Sequence, residues 1–212
     1  MSALTMNPQF LLFPFGQTGQ HLRLRGGLDL TDRHDFGLFC DDNKDWRIER
    51  SAHGELVIEM PTKGFTGNMN AYLGFQLFGW ALQEGSGIAF DSSAGFELPN
   101  GAMRSPDASW VRKSQLAALT DEQKQEFLPL VPEVIFELRS SSDRLKALQD
   151  KMLEWQSVGV RLGVLLDPQE RQMHLYRPGQ APQLLSNPTT LDCSPELPNF
   201  TLDTGALFDA GL

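Results

Sequence analysis

Residues 133–167 constrain the fold more than any other stretch. Glu133 to Arg139, "EVIFELR", is rich in β-branched and aromatic residues. Asp143 to Val158 has helical spacing, with Leu145, Leu148, Met152 and Trp155 in one stripe. Arg161 to Asp167, "RLGVLLD", is a nearly continuous apolar run, which suits a strand covered on both faces. A strand, a helix and a second strand in close order make a parallel pair with a right-handed crossover. The chain is therefore α/β, with a central mixed β-sheet flanked by α-helices.

The remaining elements fit one domain over residues 1–212. Residues 1–26 have no clear period and read as an irregular N-terminal arm. A Thr cap, Thr31, precedes a helix through Phe36, Phe39 and Cys40. "DWRIERSAHGELVIEMP" alternates Trp46, Ile48, Leu56 and Ile58 with polar residues around a His53-Gly54 turn, the pattern of a hairpin. "GNMNAYLGFQLFGWALQE" reads as a helix apolar over most of its circumference, and so largely buried. Two short strands follow in "GIAFDSSAGFELPNG", then a strand from Asp107 to Arg112. Ser114 to Phe127 reads as a polar helix with a capping box at Thr120 to Gln123. "RQMHLYRPG" supplies a further hairpin strand, and residues 177–212 are loop-rich with a short terminal helix.

Composition bounds the function. The chain has 212 residues, of which 41% are hydrophobic, and a formal net charge of −9. A domain this long can bury roughly 70% of its unfolded surface without staples. The acidic balance argues against indiscriminate nucleic-acid binding, which shows a basic surface, but leaves local recognition open. No segment approaches the roughly 20 apolar residues of a membrane span. Cys40 and Cys193 fit no zinc spacing and read as reduced thiols, which points to the cytoplasm.

Two carboxylates stand out. Asp107 sits where a strand begins, although Asp is a poor strand residue. Glu137 shares a strand face with Glu133, Ile135 and Arg139, deep among apolar neighbours. An unpaired carboxylate there is costly, so it needs a salt bridge to Arg139 or Lys151, or a metal. Lys151 lies on the flank of the stripe formed by Leu145, Leu148, Met152 and Trp155, where its ammonium can reach Glu137. A snorkelling surface lysine is the other reading of the same spacing. Two carboxylates and a lysine can serve a hard cation such as Mg²⁺ or Mn²⁺ in phosphodiester chemistry.

"SPD" with Asp107 and "FELRS" with Glu137 resemble the broken motif of the PD-(D/E)XK nuclease superfamily. Over residues 30–208 the blocks "DFGLFC", "WRIERSAHGELVIEMP", "GFELPNGAMRSPDASWV", "PEVIFELRSSSDRLKALQDKMLEW", "GVRLGVLLDP" and "LPNFTLD" are similar to the Uma-two family of restriction endonucleases, a domain of unknown function. The resemblance implies a restriction-endonuclease-like fold with Asp107 and Glu137 on adjacent strands. It implies a Mg²⁺- or Mn²⁺-dependent endonuclease acting on DNA. Asp107, Glu137 and the carbonyl of Leu138 would be the metal ligands. Arg139 stands where the motif has lysine, and Lys151 on the following helix would take that role. Arg139 and Asn70 would contact substrate or outer-shell water. On this reading Lys151→Ala abolishes cleavage and leaves folding nearly intact. A homodimer is expected, as related nucleases pair to cut two strands. The alternative is a catalytically silent nucleic-acid-binding or scaffold protein that keeps the fold.

Overall fold

The computed structural model describes residues 5–7, 10–15, 20–59 and 64–210, with side chains from residue 21 onward. Three strands open the chain: β1 (Thr5–Asn7), β2 (Phe10–Phe15) and β3 (Gln20–Arg25). They form an antiparallel meander in the order β1-β2-β3, which corrects the irregular arm expected there. The alternation of Leu22 and Leu24 with His21, Arg23 and Arg25 is too short to stand out. Pro14 masks β2 further, because proline removes a ladder donor. Among the described residues β1 pairs with Phe10 to Leu12.

Helix α1 (Arg33–Asp42) is capped by Asp32, whose side chain accepts from Asp35 N–H at 3.0 Å. The expected cap, Thr31, instead bonds to Asp29. The hairpin is found as β4 (Arg47–Arg50) and β5 (Leu56–Glu59), and Gly54 takes φ +81° in its turn. Next come α2 (Gly64–Glu84), β6 (Gly87–Asp91), β7 (Phe96–Glu97), β8 (Met103–Arg104) and β9 (Ala108–Arg112). The two short strands after α2 part company: β6 joins the central sheet, and β7 joins a second one in the order β5-β4-β8-β7.

The expected helix over Ser114 to Phe127 is not continuous. It breaks into α3 (Lys113–Leu116) and a single 3-10 turn, Gln123–Gln125. The capping box does form: Gln123 N–H donates to Thr120 Oγ1 at 3.3 Å, and Thr120 N–H to Gln123 Oε1 at 2.9 Å. The apolar residues there run consecutively from Leu116 to Leu119 and give no stripe to pack, so nothing sustains a longer helix.

The strand-helix-strand unit is β10 (Val134–Leu138), α4 (Leu145–Ser157) and β11 (Leu162–Asp167), with β10 and β11 parallel. The chain then forms β12 (Gln172–Tyr176), β13 (Gln183–Ser186), β14 (Thr190–Asp192), β15 (Thr201–Asp203) and α5 (Thr204–Asp209). The loop-rich C-terminal segment thus holds three short strands and the expected helix. Among the described residues the central sheet has the order β13-β12-β11-β10-β9-β6, mixed because every pair other than β10 with β11 is antiparallel.

Parity along β10 divides the core. Val134, Phe136 and Leu138 face a cluster with Leu73, Leu77 and Phe208, so α2 and α5 cover that face. Ile135 faces Met152 and Trp155 of α4 on the other. Glu137 has the parity of Ile135 and therefore points to the α4 side. Helix α2 buries only one stripe: Thr66, Met69, Leu73, Leu77 and Ala81. Its other side exposes Phe75 at 72% and Leu82 at 83%, which corrects the expectation of a largely buried helix. Among the described residues no helix is long and apolar enough to cross a membrane.

Candidate active site

The antiparallel register of β9 and β10 pairs Ile135 with Ser109 and Phe136 with Ala108. One step further, that register sets Asp107 opposite Glu137. Asp107 Oδ2 accepts the backbone N–H of Leu138 at 2.7 Å, which ties the start of β9 to the end of β10. This answers why a carboxylate sits at a strand's mouth: it closes the ladder with a side-chain acceptor and leaves its second oxygen for other partners.

Helix α4 delivers Lys151 from above. Met152 and Trp155 bury their side chains against the sheet, and the adjacent Lys151 side chain is only 9% exposed. Its ammonium lies 2.8 Å from Glu137 Oε1 and 2.9 Å from Glu49 Oε1. The snorkelling alternative is excluded by this burial. The contact to Glu137 is electrostatic without hydrogen-bond alignment, so Glu137 Oε1 is buried without a hydrogen bond.

Strand β4 contributes what the sequence reading missed. Glu49 is 1% exposed and accepts from Lys151, from Arg104 Nη1 at 3.0 Å and from Ser105 N–H at 2.8 Å. Arg104 also holds Glu154 at 2.6 Å. Arg47 Nη1 lies 3.1 Å from Asp107 Oδ1 and 3.2 Å from Glu59 Oε2, while Nη2 donates to the carbonyl of Ser105. The alternation around Ile48 predicts a polar face for Arg47 and Glu49 in the hairpin. That face is instead covered by the segment from Met103 to Asp107 and by α4. The available signal was a short one: opposite charges two residues apart in "RIE" can stabilise each other when buried.

Asn70 of α2 reaches the same place. Its amide donates to Asp107 Oδ1 at 3.4 Å, and its own Oδ1 is buried without a hydrogen bond. Arg139 does not join the group. Its guanidinium donates to Asp167 Oδ2 at 2.7 Å, and Asp167 is fully buried. The structure thus brings together Asp107, Glu137, Lys151, Asn70 and the backbone of Leu138, and engages Arg139 elsewhere.

The electrostatics follow from an excess of acid. Five carboxylates (Glu49, Glu59, Asp107, Glu137 and Glu154) share three cations (Arg47, Arg104 and Lys151). Burial pushes the Glu49 carboxyl up, but Lys151, Arg104 and Arg47 outweigh it and hold Glu49 below the usual range. Burial pushes Glu137 up to about 8; Lys151 opposes this, and the nearby charges of Asp107 and Glu49 add to it. Burial alone would lower the Lys151 pKa, but Glu137, Glu49 and Glu59 raise it, so the ammonium stays charged at neutral pH.

A pH dependence of stability follows. Glu137 holds its proton in the folded, metal-free protein to about 8, whereas the unfolded chain releases it near the ordinary value of 4.5. Between those values the folded state binds more protons, so stability falls as pH rises, by at most about 1.4 kcal/mol per pH unit for one group. Urea midpoints of metal-free protein should therefore decline from pH 5 to pH 8 and decline less in Glu137→Gln. Midpoints that rise over this range in the wild type contradict the assignment.

Among the described residues no group of three or more His, Cys, Asp or Glu side chains is arranged to hold a metal ion. Two carboxylates still suit Mg²⁺, which keeps several waters and takes one or two protein carboxylates. The buried Asn70 Oδ1, which lacks a hydrogen bond, fits such a cation as well. A cavity of about 540 Å³ is lined by His34, Cys40 and Phe127 among others and includes none of these residues.

Comparison with known proteins matches residues 33–205 to the Uma2 family, "Putative restriction endonuclease". The crystal structure of a putative nuclease belonging to DUF820 from Anabaena variabilis ATCC 29413 aligns with a TM-score of 0.67 and 18% identity. That alignment covers 78% of this chain and 91% of the other, and it shows a shared fold. A cryo-EM structure of a DrdV–DNA complex aligns at 0.36 and 12% identity over 69% of this chain and 13% of the other, too weakly to bear on the fold. No curated protein matches the chain.

Proposed function

The chain belongs to the Uma2 family of putative restriction endonucleases, and we propose that it is a metal-dependent endonuclease hydrolysing DNA phosphodiester bonds. The observation that carries this reading is the buried Lys151 ammonium, 2.8 Å from Glu137, whose neighbour across the β9–β10 register is Asp107. Asp107, Glu137 and the Leu138 carbonyl would hold Mg²⁺ or Mn²⁺. When bound, the cation would lower the pKa of water and offset charge on the phosphodiester.

The chain's own residues supply the rest. Asp107 is fixed by the Leu138 N–H and aligned by the Asn70 amide. Lys151 remains protonated, so it serves as a donor that orients the attacking water and stabilises the charge of the transition state, rather than as a base. Arg139 is held by Asp167 and supports the end of β10, which makes it a poor candidate for proton transfer and for substrate contact. Cutting both strands calls for two copies, and the exposed Phe75 and Leu82 on α2 support a homodimer.

Asp107→Asn tests the reading. Nicking of supercoiled plasmid in Mg²⁺ is expected to fall at least about 10²-fold, the scale of a lost transition-state contact. Wild-type protein that leaves plasmid intact across DNA substrates and divalent metals, or cleavage unaffected by Asp107→Asn, contradicts it and favours a silent scaffold.

A further inference from the structure

Arg47 occupies an unusual position for a structural arginine. Asp107 has one oxygen taken by the Leu138 N–H, and its other oxygen, Oδ1, meets the Arg47 guanidinium at 3.1 Å. Both oxygens of the aspartate are therefore engaged, one of them by a cation belonging to the chain itself. A guanidinium carries only donors and cannot share that oxygen lobe with a hard divalent cation.

The three cations of the cluster differ in how firmly they are seated. Lys151 lies within 2.9 Å of two buried acids, and Arg104 within 3.0 Å of two. Their side chains are 9% and 10% exposed. Arg47 donates through Nη2 to the Ser105 carbonyl, but its ion-pair contacts are longer, at 3.1, 3.2 and 3.9 Å, and its side chain is 24% exposed. Its Nε is buried with no hydrogen bond, so the seat satisfies it incompletely. Glu59, its outer partner, is 36% exposed, which places the open side of the cluster at Arg47. Of the three, Arg47 is the cation able to leave.

We propose that Arg47 is an internal counter-ion that holds Asp107 in the metal-free protein and must release it before a divalent cation binds. The inference rests on the metal-dependent reading above and adds a competitor to it. Arg47 then sets the cation concentration at which the site loads. Glu59 keeps the displaced guanidinium nearby, so the exchange is reversible. The apparent affinity is reduced by the fraction of molecules in which Arg47 has vacated Asp107.

Mn²⁺ titrations followed by the electron paramagnetic resonance of free Mn²⁺ test this on the wild type, Arg47→Gln, Asp107→Asn and the double variant. If Arg47 vacates Asp107 in about one molecule in ten, Arg47→Gln binds Mn²⁺ about tenfold more tightly. The double variant loses that gain, which locates it at Asp107. Arg47→Gln that binds no tighter than wild type, while Asp107→Asn abolishes binding, overturns the competitor and leaves the metal site standing. No binding by either wild type or Arg47→Gln overturns both. A second measurement needs only the native site. The ¹⁵N resonance of Arg47 Nε, assigned by its absence in Arg47→Lys, should shift when saturating Mg²⁺ is added. An unchanged resonance on a protein that has bound Mg²⁺ overturns the proposal.

Discussion

Lys151→Ala is expected to reduce DNA cleavage by about 10²–10³-fold, the usual loss when one preorganised transition-state donor is removed. It is also expected to destabilise the fold. An exposed lysine could be deleted with little effect on folding, and the spacing alone allowed that. The structure instead buries the ammonium between Glu49 and Glu137, so its loss strands the Glu49 carboxylate away from water and leaves Glu137 without its cation. Breaking a buried pair costs about 3–5 kcal/mol, less whatever is recovered when a carboxyl takes up a proton. The two effects can be separated. Lys151→Met combined with Glu49→Gln removes one charge of each sign and should recover much of the stability but none of the cleavage. Arg139→Ala, which strands Asp167 away from the site, should lower stability and affect the rate much less. Plasmid nicking and urea unfolding on the same preparations report both quantities. If Arg139→Ala stops the reaction and Lys151→Ala does not, the lysine is structural and the chemistry lies elsewhere.

Glu49→Ala carries the second large effect. Glu49 is the acid that accepts from Lys151, Arg104 and Ser105 N–H at once. Its removal leaves two buried cations facing each other with one acid fewer between them. A loss of about 3–5 kcal/mol is expected, on the scale of an uncompensated buried charge. Lys151 would also lose the partner that positions it on the side away from Glu137, so cleavage should fall even where the protein remains folded. A cost below about 1 kcal/mol, the range of an exposed ion pair, would show that water reaches this cluster and that its charges are not held as described.

What the sequence disclosed and what it hid have a common physical basis. The unit from Glu133 to Asp167 was legible because each part is amphipathic or apolar with a clean period. That same period placed Glu137 on the face covered by α4. The stripe through Met152 and Trp155 then set Lys151 beside it. Arg47 and Glu49 were hidden by the same kind of rule. Alternation in a hairpin assigns charged residues to solvent, and only the tertiary cover from Met103 to Asp107 and α4 makes that face interior. Neither Arg104 nor Glu154 has a local signal, since Arg104 matters as the partner of Glu49, 55 residues away, and Glu154 as the partner of Arg104, 50 residues away. The strands before Arg25 were missed because Pro14 and short alternation obscure them. The exposed side of α2 was missed because hydrophobicity does not say which apolar residues find a partner.

The central claim is that Asp107 and Glu137 form one cation site at the end of the sheet. Anomalous diffraction from a crystal soaked in Mn²⁺ tests it most directly. A single strong peak is expected within coordinating distance of both carboxylates, about 2.0–2.6 Å, with the Arg47 guanidinium drawn away from Asp107 Oδ1. Carboxylates that remain too far apart to share a cation, or manganese bound only at other sites, would contradict it.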